Sequence, residues 1–344
     1  MQPGSYTALV TPFDQNGIDE AGLERLVSFQ IENGITGILA VGTTGESPTL
    51  DWKEHIRAID LIAGQTRNKC ICIAGTGSNN TAETLEATKH AVKSGCQAVL
   101  LVDPYYNGPS SLEIRKEYAA PVAAAYPDTT VIPYIVPGRT GAQMLPEDLA
   151  MLFRDYPNAG CVKEATASLD NMRRTRECCG DKYLILSGDD GITYDMMKDP
   201  DIRGGGVISV ISNIVPGAVS EMVKLSLNGD DGSAKKIFNN LKPLFDLVTV
   251  KTTEKTPFGE VTCRSRNPVP IKTLMQVLGM PSGPCRRPLG KMTRAGIDIL
   301  LDAARKVYEN APEALEPVAD SFGVDIKERL NNPKYTNGLV YEDY

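Results

Sequence analysis

Short apolar, largely β-branched runs recur along the first two thirds of the chain, each followed by a polar turn and then a helix-period stripe. The runs predict strands near residues 6–10, 37–41, 70–74, 98–102, 131–136, 161–165, 183–187 and 206–210. Several are apolar nearly throughout, the pattern of strands buried on both faces of a parallel sheet. Between them lie helix signals. Leu23, Leu26, Val27 and Ile31 form one stripe, and Gly34 follows it in the position of a C-terminal cap. Asp51 with Glu54, and Asn80 with Glu83, have capping-box spacing, and Pro146 suits a first helical turn.

Eight such strand–helix units in roughly 215 residues predict an α/β fold, a (β/α)8 TIM barrel, with residues 1–222 carrying any active site. No GxGxxG follows the first strand, which weakens a dinucleotide-binding reading. After about residue 219 the pattern turns helical, and 223–310 reads as a helical layer on the barrel. Within it, Lys251–Asn267 reads as a polar, irregular excursion. Residues 311–344 form an extension, either a docked arm or a loose tail.

Composition narrows the function classes. The 344 residues are 42% hydrophobic and 23% charged, as in an ordinary globular protein. A net charge of −7 without a dense basic run argues against nucleic acid as a partner. Neither a leader-like start nor a membrane-length apolar run is found, so a cytoplasmic protein with no membrane partner is expected. Eight dispersed cysteines with no CxxC, and only two histidines, predict reduced thiols and no metal site.

Active sites of such barrels lie at the strand C-terminal ends. There the sixth run, Gly160-Cys161-Val162-Lys163-Glu164-Ala165, places a lysine inside a buried strand. A buried ammonium is costly, and desolvation favours the neutral amine, which can attack a carbonyl. A strand-edge lysine, or one paired with Glu164, is the plainer reading of that residue alone. Gly42-Thr43-Thr44-Gly45 offers N–H groups and hydroxyls suited to a carboxylate, or is simply a tight loop. Tyr134, on the neighbouring strand, is placed to shuttle protons with Thr43 and Tyr106, or to pack as an ordinary aromatic. Arg139 could clamp a second carboxylate, and Ile208 would be an apolar wall.

Five motifs carry a family resemblance: Gly42-Thr43-Thr44-Gly45-Glu46-Ser47, Pro104-Tyr105-Tyr106-Asn107, Tyr134 through Gly141, Lys163-Glu164-Ala165-Thr166 and Ser187-Gly188-Asp189-Asp190. Together with Asn267-Pro268-Val269-Pro270-Ile271-Lys272, this set resembles the dihydrodipicolinate synthase family of pyruvate-dependent Schiff-base lyases. The resemblance implies a homotetramer, a dimer of dimers, that condenses pyruvate with aspartate 4-semialdehyde and needs no cofactor beyond the imine. It implies that Lys163 forms that imine and that Thr43 and Thr44 hold the pyruvate carboxylate. Tyr134, Thr43 and Tyr106 would relay protons, with Tyr106 reaching in from a neighbouring subunit, and Arg139 would hold the semialdehyde carboxylate. Some family members bind lysine as an inhibitor, and the matching positions are Ser47, Trp52, His55, Asn79, Glu83 and Tyr105. Ile135, Gly138 and Ala167 depart from the family pattern. Two alternatives remain: a related aldolase or dehydratase, such as N-acetylneuraminate lyase or a 2-keto-3-deoxy sugar-acid aldolase, or a keto-acid-binding barrel without catalysis.

Overall fold

The computed structural model describes residues 1–343. Eight parallel strands close into a barrel: β1 Gly4–Ala8, β2 Gly37–Ala40, β3 Ile71–Gly75, β4 Ala98–Val102, β5 Thr130–Ile135, β6 Cys161–Glu164, β7 Leu184–Ser187 and β8 Gly206–Ser209. Each strand pairs with its sequence neighbours, and β1 closes the ring against β8. The first strand begins two residues earlier than its apolar run suggests. Gly4 pairs with Gly206 at the seam, and a Cβ on Gly206 would lie 1.9 Å from the Gly4 carbonyl oxygen. Glycine there allows a backbone approach that hydrophobicity cannot report.

The side-chain period of two divides the strands into two cores. Tyr6, Leu39, Ile73, Leu100, Ile132, Cys161, Leu186 and Ile208 fill the barrel interior. The alternate residues, among them Ile38, Val99, Ile135, Val162, Ile185 and Val207, belong to the larger core that includes the helices. The stripe of the first helix, Glu20–Glu32, buries Leu23, Leu26 and Val27, and Gly34 follows with φ +74°. Asp51 and Glu54 form a reciprocal capping box on Trp52–Thr66. The second proposed box is only half formed. Asn80 caps Ala82, but the Glu83 carboxylate accepts instead from the Ser78 hydroxyl, which competes for it at 2.6 Å.

Helix Pro216–Leu227 runs straight across the expected boundary at residue 222 and packs on β1. Helices Asp231–Phe245, Val269–Leu278 and Arg294–Asn310 then build the outer layer. The segment expected to be irregular is instead a hairpin, β9 Thr249–Thr256 paired antiparallel with β10 Gly259–Arg266. Its β-branched residues alternate with polar ones that face solvent, so little apolar signal remains in the sequence. Val250 and Thr252 anchor its base, while Phe258 at the tip is 99% exposed. Past residue 311 the chain is docked. Phe322 packs edge-on against Phe29 at 5.2 Å, and Arg25 lies over the Phe322 ring. Among the described residues, no helix is long and apolar enough to cross a membrane.

Candidate active site

In β6, residues of the Cys161 phase point into the barrel, and Lys163 shares that phase, in register with Tyr134 on β5 and Leu186 on β7. The neighbouring Glu164 takes the opposite phase, so a Lys163–Glu164 pair is excluded by the pleat. Lys163 is 3% exposed, and its Nζ lies 4.2 Å from the centre of the Tyr134 ring. Burial pushes its pKa below the ordinary lysine value, and the positive charge of Arg139 adds to that shift. Tyr134 and Asp190 act in the opposite direction but do not overcome the desolvation. The amine is therefore available in neutral form far more readily than that of a surface lysine.

The walls are arranged to leave this amine room. A Cβ on Gly188 would stand 3.2 Å from Lys163 Cε and 2.7 Å from Ala165 Cβ, so only glycine fits beside the lysine stem. Asp190 lies behind, fixed by N–H donors from Val210 and Ile211 at 2.9 and 3.2 Å, and burial raises its pKa to about 6. Glu164, facing the outer layer, accepts from the Thr166 N–H at 2.7 Å, and burial lifts it to about 7. Ile208 is fully buried in the barrel interior.

Tyr134, whose ring the lysine touches, also lines a cavity together with Gly42, Thr43, Tyr105, Val136 and Arg139. Arg139 enters it from the short helix Pro137–Thr140, directly after β5. The Thr44 hydroxyl accepts from Asn267 Nδ2 at 3.0 Å, and Arg139 Nη2 donates to the Asn267 carbonyl at 3.1 Å. One outer-layer asparagine thus connects both carboxylate-binding candidates. Tyr106 is different: it is 94% exposed with φ +75°, and a single chain does not bring it to Tyr134.

The loop after β2 is held from below by residues whose roles no local pattern reveals. Glu46, in the left-handed region at φ +59°, accepts from Lys272 Nζ at 2.6 Å and from the Arg286 N–H at 2.8 Å. Lys272 also donates to the carbonyls of Thr11 and Pro284, and both charged side chains are fully buried. The two motifs that supply this pair were visible in the sequence, but not that they meet.

The six positions of the implied inhibitor site form two adjoining groups. His55 Nε2 lies 3.1 Å from the Ser47 hydroxyl, and Trp52 packs edge-on against His55 at 5.2 Å. Across from these, the Asn79 side chain accepts from the Tyr105 N–H at 2.7 Å, with Glu83 on the same loop-and-helix junction. Burial lowers the His55 pKa to about 4, so its ring is neutral near pH 7. Ser47 and Tyr105 also line the cavity that contains Tyr134 and Arg139.

The profile of the Dihydrodipicolinate synthetase family matches residues 1–304. The chain belongs to that family. It is 40% identical over 304 residues to the 4-hydroxy-tetrahydrodipicolinate synthase of Sulfurihydrogenibium sp. (strain YO3AOP1), covering 88% of this chain and 97% of that one. Two solved family structures superpose with TM-score 0.80 and 33% identity. One is the chloride-inhibited dihydrodipicolinate synthase of Acinetobacter baumannii complexed with pyruvate, covering 89% of this chain and 99% of that one. The other is the enzyme of Cyanidioschyzon merolae with lysine bound, covering 89% and 98%. The docked extension past residue 311 lies beyond the matched family region, which ends at residue 304.

Proposed function

We propose that this chain condenses pyruvate with L-aspartate 4-semialdehyde to 4-hydroxy-tetrahydrodipicolinate through an imine on Lys163. The observation that carries the reading is an inward, desolvated amine beside a tyrosine that lines a cavity together with an arginine. The Lys163 amine adds to the keto carbon of pyruvate, and the carbinolamine loses water to give the imine. Thr43 and Thr44 receive the pyruvate carboxylate. Loss of a methyl proton gives the enamine, whose carbon attacks the aldehyde carbon, and the new alkoxide takes a proton. The amine of the semialdehyde then displaces Lys163 from the imine carbon and closes the ring. The net change is one C–C bond and one ring C=N bond formed, with one water released.

Tyr134 is the proton carrier in this reading, because its ring abuts the reacting nitrogen. Tyr134→Phe is expected to slow turnover by roughly 10²–10⁴-fold. Steady-state assay with both substrates checks this, and an unchanged rate would remove Tyr134 from the relay. A substrate screen tests the reading as a whole. Turnover of 2-keto-3-deoxy sugar acids in place of the semialdehyde would favour the sugar-acid aldolase alternative.

Tyr106 completes the relay from a second subunit. Its near-complete exposure on a left-handed loop residue suits insertion into a neighbour, within a homotetramer. Eight free cysteines suit a reducing, cytoplasmic setting. Lysine is the inhibitor held by Ser47, Trp52, His55, Asn79, Glu83 and Tyr105, with Glu83 facing its ammonium groups and the neutral His55 adding no repulsion. Calorimetric titration is expected to show lysine binding that Glu83→Gln weakens at least roughly tenfold, the scale of a lost charge-assisted contact. No heat with the unsubstituted protein would sink this assignment.

A further inference from the structure

The β9–β10 hairpin ends at the barrel mouth, and its last residue is an arginine. Arg266 Nη1 donates to the Gly138 carbonyl at 3.1 Å, while Arg139 Nη2 donates to the carbonyl of Asn267, the residue after Arg266. Each arginine is thus bonded to backbone next to the other. Among the described residues, no carboxylate lies within salt-bridge distance of Arg139, Arg264 or Arg266. Burial lowers the Arg266 pKa, with Arg264 and Arg139 adding like-charge repulsion.

The two positive side chains repel one another, each keeps N–H donors to spare, and an anion bound between them would relieve that repulsion. The structure already spends one donor of each on holding the backbone. Arg139 is one of the residues lining the cavity that contains Thr43 and Tyr134.

We propose that Arg266 is a second carboxylate-binding residue for the aldehyde co-substrate, acting beside Arg139 to select an acceptor that bears a carboxylate. This rests on the lyase reading given above and deepens it. The hairpin supplies a specificity element from a part of the chain that forms no barrel strand. Phosphate or another small anion would meet the same pair, but only a carboxylate attached to the acceptor couples the pair to turnover.

The test uses the full chain with Arg266→Ala and Arg266→Gln. Glutamine retains an N–H donor for the Gly138 carbonyl and removes the charge. Both variants are expected to raise KM for aspartate 4-semialdehyde roughly tenfold or more, the effect of losing a charge-assisted bond. Trapping of pyruvate alone by borohydride is expected to stay at the unsubstituted rate. Added salt is expected to raise KM for the semialdehyde in the unsubstituted enzyme and to do so less in either variant. Unchanged KM in both variants would overturn the proposal. So would an Ala defect that Gln fully restores, or an unaltered salt response, since either marks a merely structural residue. Failure of the unsubstituted chain to trap pyruvate would instead sink the lyase reading. Should Arg266→Ala not fold, Arg266→Gln and the salt response decide the matter.

Discussion

Lys163→Ala is expected to abolish turnover and to eliminate borohydride-trapped pyruvate while leaving the fold intact. The side chain makes no salt bridge or hydrogen bond among the described residues, and its environment acts mainly by desolvation. Removing it therefore strands no buried partner, unlike the loss of one member of an ion pair. The unfolding midpoint should be retained or slightly raised. Lys163→Arg is expected to be equally inactive, because a guanidinium stays charged and cannot form the imine. The pH response has a definite sign. Imine formation needs the neutral amine, so trapping accelerates as pH rises and levels off below the ordinary lysine value of 10.5. A plateau reached only at or above that value would contradict the desolvated setting. Measurable turnover by the alanine variant would remove the covalent step.

Lys272→Met is expected to be strongly destabilising. It leaves Glu46 charged, fully buried and bonded only to the Arg286 N–H. Breaking a buried pair in this way costs about 3–5 kcal/mol, largely from the partner left behind. The double variant Glu46→Gln with Lys272→Met removes both charges and is expected to recover much of that loss. Denaturant unfolding of the single and double variants measures the coupling directly. Additive losses would show that the pair does not act as a unit. The same variants should raise KM for pyruvate, because Glu46 is held in a left-handed conformation two residues after Thr44. An unperturbed KM would separate loop stability from substrate binding.

These two lysines show what a sequence conveys about a site. Lys163 was legible because strand period, apolar flanks and the barrel count all act within a short window. The interior phase follows from alternation alone, and the neighbouring strand supplies Tyr134 at the same level. Lys272 sits on a helix that is buried along almost its whole length, and its partner is 226 residues away. No local period can report a contact at that separation. The hairpin was obscured for another reason. Thr249–Arg266 buries only a few residues at its base, so β-branching is its sole signal, and the polar alternation resembles a loop. The docked extension is built from helices of seven and six residues, Glu316–Phe322 and Ile326–Asn331, too short for a clear stripe. Tyr106 is the converse case. Its motif is clear in sequence, yet one chain leaves it in solvent, and its proposed role requires a second subunit.

The central claim is that one uncharged amine inside the barrel mouth carries the reaction. Incubation of the unsubstituted protein with pyruvate and borohydride, followed by proteolysis and peptide mass mapping, tests it most directly. A reduced three-carbon adduct on the peptide containing Lys163, and on no other lysine, is the expected result. An unmodified Lys163, or an adduct found only on surface lysines, would contradict the account.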